Sequence, residues 1–134
     1  MKAVVIDTNV LVSALWKETG NAFYILSEIV SGRITVCYDR RIIDEYTEVL
    51  LRPKFGFPSK TVNALTDYII EYGLAVSPHP IRDILFIDED DRPFYEVADY
   101  CDAKLVTGNK KHFPEDPRVL TPAEFIEYYK TNHI

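Results

Sequence analysis

Acidic residues in three separate stretches of the chain are placed where carboxylates could act together. Asp7 follows the apolar run 3–6 directly in KAVVIDTNVLV. Glu45 lies in RRIIDEYTEVLLR, at the edge of the apolar stripe that helical spacing gives this stretch. The run DEDD at 88–91 adds four consecutive acids. Carboxylates about 4 Å apart repel by about 4 kcal/mol per pair at an effective dielectric near ~20, so a cluster of these acids would need bound protons or a cation.

Three of these acids, Asp7, Glu45 and Asp91, would suit a divalent metal site if the fold brings them together. Carboxylate oxygens are ligands for Mg²⁺ or Mn²⁺ rather than for zinc or copper. A carboxylate cluster with such ions hydrolyses phosphate esters, because the ion lowers the pKa of an attacking water and stabilises the leaving oxygen. The residue types therefore indicate phosphate-ester hydrolysis, provided that the three acids converge.

Each acid also has a purely structural interpretation. Asp7, followed by Thr8 and Asn9, could form an Asx turn or cap a following helix. Glu45 could extend from the boundary of its helix into water. Asp91 is the natural N-cap of the helix that follows it, where the helix dipole favours acids. The residues alone leave both interpretations open.

The elements that must position these acids alternate along the chain. Short β-branched apolar runs predict strands, and longer stretches with helical spacing predict helices. The predicted strands span 3–6, 34–38, 74–77, 104–107 and, more weakly, 118–120. The predicted helices span 21–31, 40–51, 59–72 with Ser59 as N-cap, 92–101 and 121–129.

Alternation of nearly all-apolar strands with helices predicts an α/β fold, in which helices cover both faces of a parallel sheet. In such sheets functional groups collect outside the carboxyl ends of the strands, near the point where strand order reverses. Asp7 and the turn Thr107-Gly108-Asn109 both follow predicted strands. Because the chain shows neither a repeat nor a low-complexity linker, residues 1–134 are expected to form one domain.

The composition argues against several classes of protein. Of 134 residues 47% are hydrophobic and 27% are charged, which is untypical of a disordered chain. We expect no membrane span and no signal peptide, since no apolar run is long enough. Cys37 and Cys101 lack metal-type spacing, which favours reduced thiols in a cytoplasmic protein. The net charge of −6 argues against a protein that coats nucleic acid, but it allows an acidic metal site beside a basic groove.

Three stretches of the chain resemble, in order, the acidic motifs of PIN-domain nucleases. They are VVIDTNVLVSAL, IIDEYTEVLLRPKF and IDEDDRPFYEVADYCDAKLVTGNKKHFP. The likeness covers about residues 2–114 and is greatest to the VapC-like toxins of toxin–antitoxin systems. It implies a Rossmann-like three-layer α/β/α sandwich around a mostly parallel sheet, with Mg²⁺- or Mn²⁺-dependent endoribonuclease activity. By the same resemblance, Asp7, Glu45 and Asp91 are the catalytic, metal-binding acids.

The chain departs from the family pattern at one acid. The family usually places a fourth acid after a Thr-Gly pair, where this chain has Asn109. An amide oxygen can ligate Mg²⁺ but adds no charge, so a second metal is expected to bind more weakly. Asp88 or Asp90 could compensate for the lost charge, and the expected metal ligands therefore include Asn109 and Asp88 beside the three acids.

Neighbouring side chains are expected to support the metal site or to hold the substrate. The supporting residues are Thr8, Asn9 and Thr107, and the residues expected to contact RNA phosphates are Arg52, Lys54, Lys110 and Lys111. A solvated loop explains the basic residues equally well. His112 is not needed as a general base, because two-metal hydrolysis takes none from the protein. Trp16 and the tyrosines are assigned to the core and to interfaces rather than to platforms on which bases stack.

Other folds with an acid at a strand end fit less well. A haloacid-dehalogenase-type phosphohydrolase needs a second Asp two residues on, where this chain has Asn9. A phosphorylated receiver domain places its acceptor Asp after the middle strand and a Lys late in the chain, whereas Lys104 precedes its strand. A nucleotide-binding Rossmann or P-loop module is disfavoured, because no Gly-rich phosphate loop occurs.

The competing function is a PIN fold that binds RNA or a partner protein without cleaving RNA. Asn109 favours this alternative, whereas the three acids and the negative net charge favour the nuclease. For a toxin, the expected partners are the RNA substrate and a cognate antitoxin that inserts a segment across the acidic cleft. PIN toxins are often homodimers, and exposed aromatic residues could form that interface.

Overall fold

The structure, a computed structural model, describes residues 2–132. Within that range the strands are β1 (Lys2–Ile6), β2 (Ile34–Tyr38), β3 (Leu74–Ala75), β4 (Lys104–Val106) and β5 (Val119–Leu120). The α-helices are α1 (Thr8–Trp16), α2 (Asn21–Val30), α3 (Arg40–Leu50), α4 (Ser59–Tyr72), α5 (Arg92–Cys101) and α6 (Pro122–Asn132). Short 3-10 turns at Pro53–Phe55, Glu89–Asp91 and Lys110–His112 lie in the connections.

The strands form one parallel sheet in the order β3-β2-β1-β4-β5. The chain builds outward from β1 to β3 and then returns to place β4 and β5 on the other side of β1. Strand order therefore reverses between β1 and β4, where α/β proteins bind ligands outside the carboxyl ends of the strands. Asp7 follows β1 and Thr107 follows β4, so both residues lie at this position.

Strand β1 is buried on both of its faces. Val4, Val5 and Ile6 are all 0% exposed, although successive side chains of a strand point to opposite faces of the sheet. Helix α5 packs against β1, β2 and β4, helix α2 packs on β2, and helix α6 packs on β4 and β5. The predicted parallel-sheet α/β sandwich is confirmed.

Helix α3, which carries Glu45, is fixed to the end of β1 by the neighbouring Tyr46. The Tyr46 side chain is fully buried, and its hydroxyl donates a 2.5 Å hydrogen bond to the carbonyl oxygen of Ile6. Its ring also packs against Phe94 of α5, with the ring centroids 6.1 Å apart. These contacts set the position of Glu45 relative to the residue that follows Ile6, which is Asp7.

The predicted strands and helices agree with the structure except at some ends and at one helix. Helix α1 is not predicted, because its sequence TNVLVSALW is apolar almost throughout and shows no polar face. The prediction of Ser59 as an N-cap is wrong, since α4 begins at Ser59 and Pro58 occupies the cap position. Among residues 2–132, none of the helices is long and apolar enough to cross a membrane.

Candidate functional site

Asp7 is the centre of the site and is almost entirely buried, with 6% of its surface exposed. Its Oδ1 accepts a 2.8 Å hydrogen bond from the backbone N–H of Thr8, at the N-cap of α1. Its Oδ2 accepts hydrogen bonds from the Thr107 hydroxyl at 2.7 Å and from the Asn9 amide at 3.3 Å. The capping and functional interpretations of Asp7 are therefore compatible, because the helix cap uses one oxygen and the end of β4 contacts the other.

Thr107 and Asn9 join the turn after β4 to this carboxylate. The fully buried Thr107 hydroxyl also accepts a 2.9 Å hydrogen bond from the backbone N–H of Asn109. The Asn9 amide oxygen accepts a 3.1 Å hydrogen bond from the backbone N–H of Gly108. Both side chains thus fix the direction of the Asp7 carboxylate, and we assign them as positioning residues.

Replacing Thr107 with valine is expected to lower the free energy of unfolding by about 1.5–3 kcal/mol, because a buried carboxylate loses a hydrogen bond to its charged form. The Asn109 backbone N–H loses its acceptor in the same variant. Urea denaturation measures the change, and Thr107→Ser is the matched control because it keeps the hydroxyl. A loss in Thr107→Ser without a loss in Thr107→Val would mean that the methyl group of Thr107, and not its hydrogen bond to Asp7, stabilises the protein.

The ionised form of the Asp7 carboxylate is energetically unfavourable. Burial raises its pKa above the ordinary value, since a desolvated carboxylate disfavours its charged form. Hydrogen bonds from Thr107 and Thr8 and the charge of His112 oppose this shift only in part. A cation placed beside Asp7 would favour the ionised form and remove this cost.

Glu45 of α3 belongs to the same electrostatic cluster. Partial burial raises its pKa to about 7, and the charges of Asp90, Glu48 and Asp7 act in the same direction. A boundary glutamate that reached freely into water would keep an ordinary pKa. The fold therefore brings Glu45 within electrostatic range of Asp7, as convergence of the acids requires.

Within the acidic run 88–91, the side chain of Asp88 has a structural role, whereas that of Asp91 is a candidate for the site. Asp88 caps the 3-10 turn Glu89–Asp91, where its carboxylate accepts a 3.0 Å hydrogen bond from the backbone N–H of Asp90. Asp91 occupies the N-cap position of α5, as expected, but its side chain makes no capping hydrogen bond to the described residues. The capping interpretation therefore does not account for the side chain of Asp91.

The pKa of the Asp91 carboxylate is affected by the charge of Asp7. Burial raises its pKa to about 6, and the charges of Asp7 and Asp88 add to the shift. Its Oδ2 is buried and has no hydrogen-bond partner in the part of the chain that the structure describes. The His112 Nδ1 lies 3.5 Å from this oxygen, near enough to attract its charge but too far for a good hydrogen bond. An unpartnered buried carboxylate oxygen is costly, so a cation or proton here would be stabilising.

Two other predicted site residues lie beside these acids. Asn109 is exposed, its backbone N–H is held by Thr107, and its side chain makes no capping bond to residues 2–132. The Thr8 hydroxyl is buried and has no partner among the same residues. Both side chains therefore keep polar atoms available next to Asp7.

The basic residues predicted to contact RNA are all exposed, and they are Arg52, Lys54, Lys110 and Lys111. Arg52 holds the Glu48 carboxylate through two hydrogen bonds of 2.9 and 2.8 Å. The Lys110 Nζ lies 3.0 Å from Glu124. Exposed ion pairs of this kind contribute little to stability, so a phosphate can compete for either cation. Their contact with RNA stays a prediction.

The donor set fits Mg²⁺ or Mn²⁺ in chemistry more clearly than in geometry. No three His, Cys, Asp or Glu side chains within residues 2–132 stand together as a ready-made metal cage. The candidate ligands nevertheless all offer oxygen, and the three acids have raised pKa values, chiefly because of burial and, for Glu45 and Asp91, further because of neighbouring acids. The predicted ligand set, which stays a prediction, is Asp7, Glu45, Asp88, Asp91 and Asn109.

A further group of contacts, which the sequence analysis does not identify, anchors the segment before the acidic run. The buried Glu96 of α5 accepts a 2.8 Å hydrogen bond from the backbone N–H of Ile81 and pairs with Arg41 at 2.8 Å. Arg92 donates to the carbonyl oxygens of Ile81 and Ile84. The sequence gives no signal for this contact, because helical spacing places Glu96 on the side of α5 opposite the apolar stripe of Phe94, Val97 and Ala98.

Two comparisons with known proteins agree with this geometry. Residues 3–111 match the model of the PIN domain family, a range that includes Asp7, Glu45, Asp91 and Asn109. The chain is also similar to MJ1680, an uncharacterized protein of Methanocaldococcus jannaschii, with 30% identity over 143 residues that cover 95% of this chain and 91% of that protein. Since the family match covers most of the chain, the protein belongs to the PIN domain family, whose members are generally nucleases.

Proposed function

We propose that this protein is a metal-dependent endoribonuclease and the toxin of a toxin–antitoxin pair. The observation that carries the proposal is the buried Asp7 carboxylate at the point where strand order reverses, with the Oδ2 of Asp91 as a second buried carboxylate oxygen that has no hydrogen-bond partner among residues 2–132. Burial is the main cause that raises the pKa values of Asp7, Glu45 and Asp91, and the charge of Asp7 adds to the shift of the other two. Membership of the PIN domain family supports nuclease chemistry, and the resemblance to VapC-like proteins supports the toxin role.

Asp7, Glu45 and Asp91 would hold Mg²⁺ or Mn²⁺, with the oxygens of Asn109 and Asp88 as further donors. The bound ion supplies water activation and charge stabilisation for phosphodiester hydrolysis. Because the acids repel one another and form no closed cage among residues 2–132, we expect them to draw together only when their charge is neutralised.

The remaining site residues orient Asp7 and bind the substrate. Thr107 and Asn9 keep the Oδ2 of Asp7 directed to the end of β4, so this oxygen is placed before any ligand arrives. Lys110 and Lys111 follow Asn109 in the chain and would bind phosphates on that side of the site. The negative phosphodiester would then lie between basic side chains and the neutralised acids.

RNA cleavage by the purified protein tests the nuclease. A mixed pool of structured RNAs is incubated with Mg²⁺, Mn²⁺ or EDTA, and the products are separated on a denaturing gel. We expect cleavage with either ion and none with EDTA. Absence of cleavage with both ions, from protein that is folded and free of any antitoxin, would replace the nuclease by a binding function.

Growth of bacteria after induced expression tests the toxin role separately. We expect arrest with the wild-type chain and normal growth with Asp7→Asn produced at the same level. Co-expression of a neighbouring gene product that acts as an antitoxin should restore growth. A chain that cleaves RNA in vitro but never slows growth would be a nuclease with another role.

A second candidate function, binding without cleavage, is favoured by Asn109. This residue adds no charge where the family usually has an acid, and it is exposed at the site. If its side chain faces the metal, Asn109→Asp is expected to tighten Mn²⁺ binding about tenfold, because affinity rises with the charge of the ligand set. Isothermal titration calorimetry measures the change, with Asn63→Asp, at an exposed residue of α4, as a control for net charge. Unchanged affinity in Asn109→Asp would place this side chain outside the metal ligands.

A further inference from the structure

Trp16, Phe55 and Phe57 form an aromatic cluster on the surface of the protein. Trp16 ends α1 and is 64% exposed, so it is not part of the core, and its assignment to an interface stays a prediction. Its ring meets the Phe55 and Phe57 rings edge-on, with centroids 5.4 and 6.4 Å away. The two phenylalanine rings stack at 5.6 Å and 11°. Between them Gly56 has a φ of 68°, a left-handed turn that lets the two rings lie side by side. The contacts hold a large exposed indole in a fixed orientation.

The chain around this cluster is basic although the protein as a whole is acidic. Residues 52–60 contain three cations, Arg52, Lys54 and Lys60, and no acid, against a net charge of −6 for the full chain. The Lys54 Nζ lies 5.2 Å from the centre of the Phe55 ring. Lys17 and then Glu18 follow Trp16, and Arg52 is paired with Glu48, so the excess positive charge near the cluster comes from Lys54 and Lys60. Lysine is depleted in the centres of protein–protein interfaces, so this mixture of rings and cations suits a polyanion with flat groups better than a second protein.

Arg52 links the aromatic cluster to the acidic site. It follows Glu45 by seven residues, and its pKa is raised chiefly by Glu48 and then by the charges of Glu45 and Asp90. Helix α1 gives the geometric link between the two sites. Asp7 is the N-cap of α1 and Trp16 is its last residue, so the nine residues of the helix, about 13 Å at ~1.5 Å per residue, separate Asp7 from the aromatic cluster. A strand of nucleic acid that follows α1 would therefore meet both the acids and the aromatic cluster.

We propose that Trp16, Phe55 and Phe57 form a stacking platform for unpaired bases of an RNA whose backbone contacts Arg52 and Lys54 on its way to the acids. The proposal deepens the proposed function and rests on it in taking RNA as the substrate. Aromatic rings stack on bases of any sequence, whereas a duplex keeps the faces of its bases covered. The platform therefore selects single-stranded RNA next to the site of cleavage.

Trp16 is the only tryptophan of the chain, so its fluorescence reports the platform directly. The titration uses single-stranded oligouridylate, or the duplex of oligouridylate with oligoadenylate, in EDTA so that no cleavage can occur. We expect saturable quenching by the single strand and much weaker quenching by the duplex. Fluorescence anisotropy of end-labelled oligouridylate should show an affinity loss of about tenfold in Trp16→Ala. Trp16→Phe should restore much of the affinity, and Tyr72→Ala, at a residue that is 62% exposed elsewhere, should change nothing.

Absence of quenching, or equal affinity of Trp16→Ala and wild type, would overturn the platform, as would duplex binding as tight as single-strand binding. If sedimentation shows that Trp16→Ala disrupts a dimer without changing RNA affinity, the cluster is a protein interface instead. The experiments distinguish failure of the stacking platform from failure of the nuclease proposal. Quenching without metal-dependent cleavage keeps the platform and ends the nuclease proposal, whereas cleavage without any effect of Trp16 does the reverse.

Discussion

Asp7→Asn is expected to abolish metal-dependent RNA cleavage, with a loss of more than about 100-fold, while the fold stays intact. Changes to residues that only support a metal ligand already cost about 10–100-fold, and Asp7 would be a ligand itself. The asparagine keeps one oxygen for the Thr8 backbone N–H but carries no charge. It therefore removes a negative charge that adds to the burial of Glu45 and Asp91 in raising their pKa values.

The same substitution removes an unfavourable charge from the metal-free protein. Burial raises the pKa of Asp7, so its ionised form is destabilised at neutral pH. We therefore expect the melting temperature of metal-free Asp7→Asn at pH 7 to equal or exceed that of the wild type. Differential scanning calorimetry in EDTA measures it, beside cleavage assays at saturating Mn²⁺.

Asp44→Asn is the matched control, because Asp44 is an exposed acid of α3 next to Glu45. It should leave both cleavage and stability unchanged. An unfolded Asp7→Asn variant would show that the residue acts mainly as the cap of α1. Cleavage that persists in a folded Asp7→Asn variant would indicate a contaminating ribonuclease or a wrong site assignment.

Metal affinity is expected to fall steeply as the pH drops through 7 and 6. The pKa values of Glu45 and Asp91 in the metal-free protein are about 7 and about 6, so protons occupy these carboxylates where ordinary acids are ionised. A metal ion must displace those protons. Below pH 6 the apparent Mn²⁺ affinity should therefore drop about tenfold per pH unit for each proton displaced.

The stability of the metal-free protein should change with pH in a matching way. Because both carboxyl pKa values are higher in the folded state, the folded chain binds more protons than the unfolded chain between about pH 4 and 7. These two groups thus stabilise the fold at low pH, and their contribution is lost as the pH rises through about 6 and about 7. With saturating Mn²⁺ the dependence should reverse, because the ion binds the ionised form.

Calorimetric titration of Mn²⁺ in buffers of different ionisation enthalpy measures the protons released. We expect roughly one proton or more at pH 6, less in Glu45→Gln or Asp91→Asn, and almost none at pH 8.5. Asp44→Asn serves again as the control variant. Proton release that is absent at pH 6 would mean that these carboxylates do not take part in metal binding.

The sequence predicts where the site residues lie but not which of them contact one another. Asp7 and Thr107 are both predicted at carboxyl ends of strands, and a parallel sheet brings such ends to one edge. Their hydrogen bond joins residues 100 positions apart, and its existence depends on β1 and β4 being neighbours. Strand order is set by the packing of the whole chain, so no local pattern encodes this contact.

The acidic run shows a different limit of sequence patterns. Helix propensity makes Asp91 a natural cap, yet Asp88 caps the preceding 3-10 turn and the side chain of Asp91 is left for the site. All four residues of DEDD suit a helix start about equally. Which of them becomes the cap therefore depends on how Glu96 and Arg92 hold the segment that precedes the run. The core position predicted for Trp16 is wrong for a related reason, because a large aromatic side chain in an apolar segment is typical of a core.

The position of β1 in the sheet also has a consequence for protein synthesis. This strand is made first but lies in the middle of the sheet, between β2 and a partner that begins only at Lys104. Until β4 leaves the ribosome, one edge of β1 has no neighbour, and Asp7 has no Thr107 to hold it. A nascent chain therefore cannot assemble the acidic centre, and cells meet it only once translation of the domain is nearly complete. The same delay leaves the edge of an apolar strand unpaired in the emerging chain.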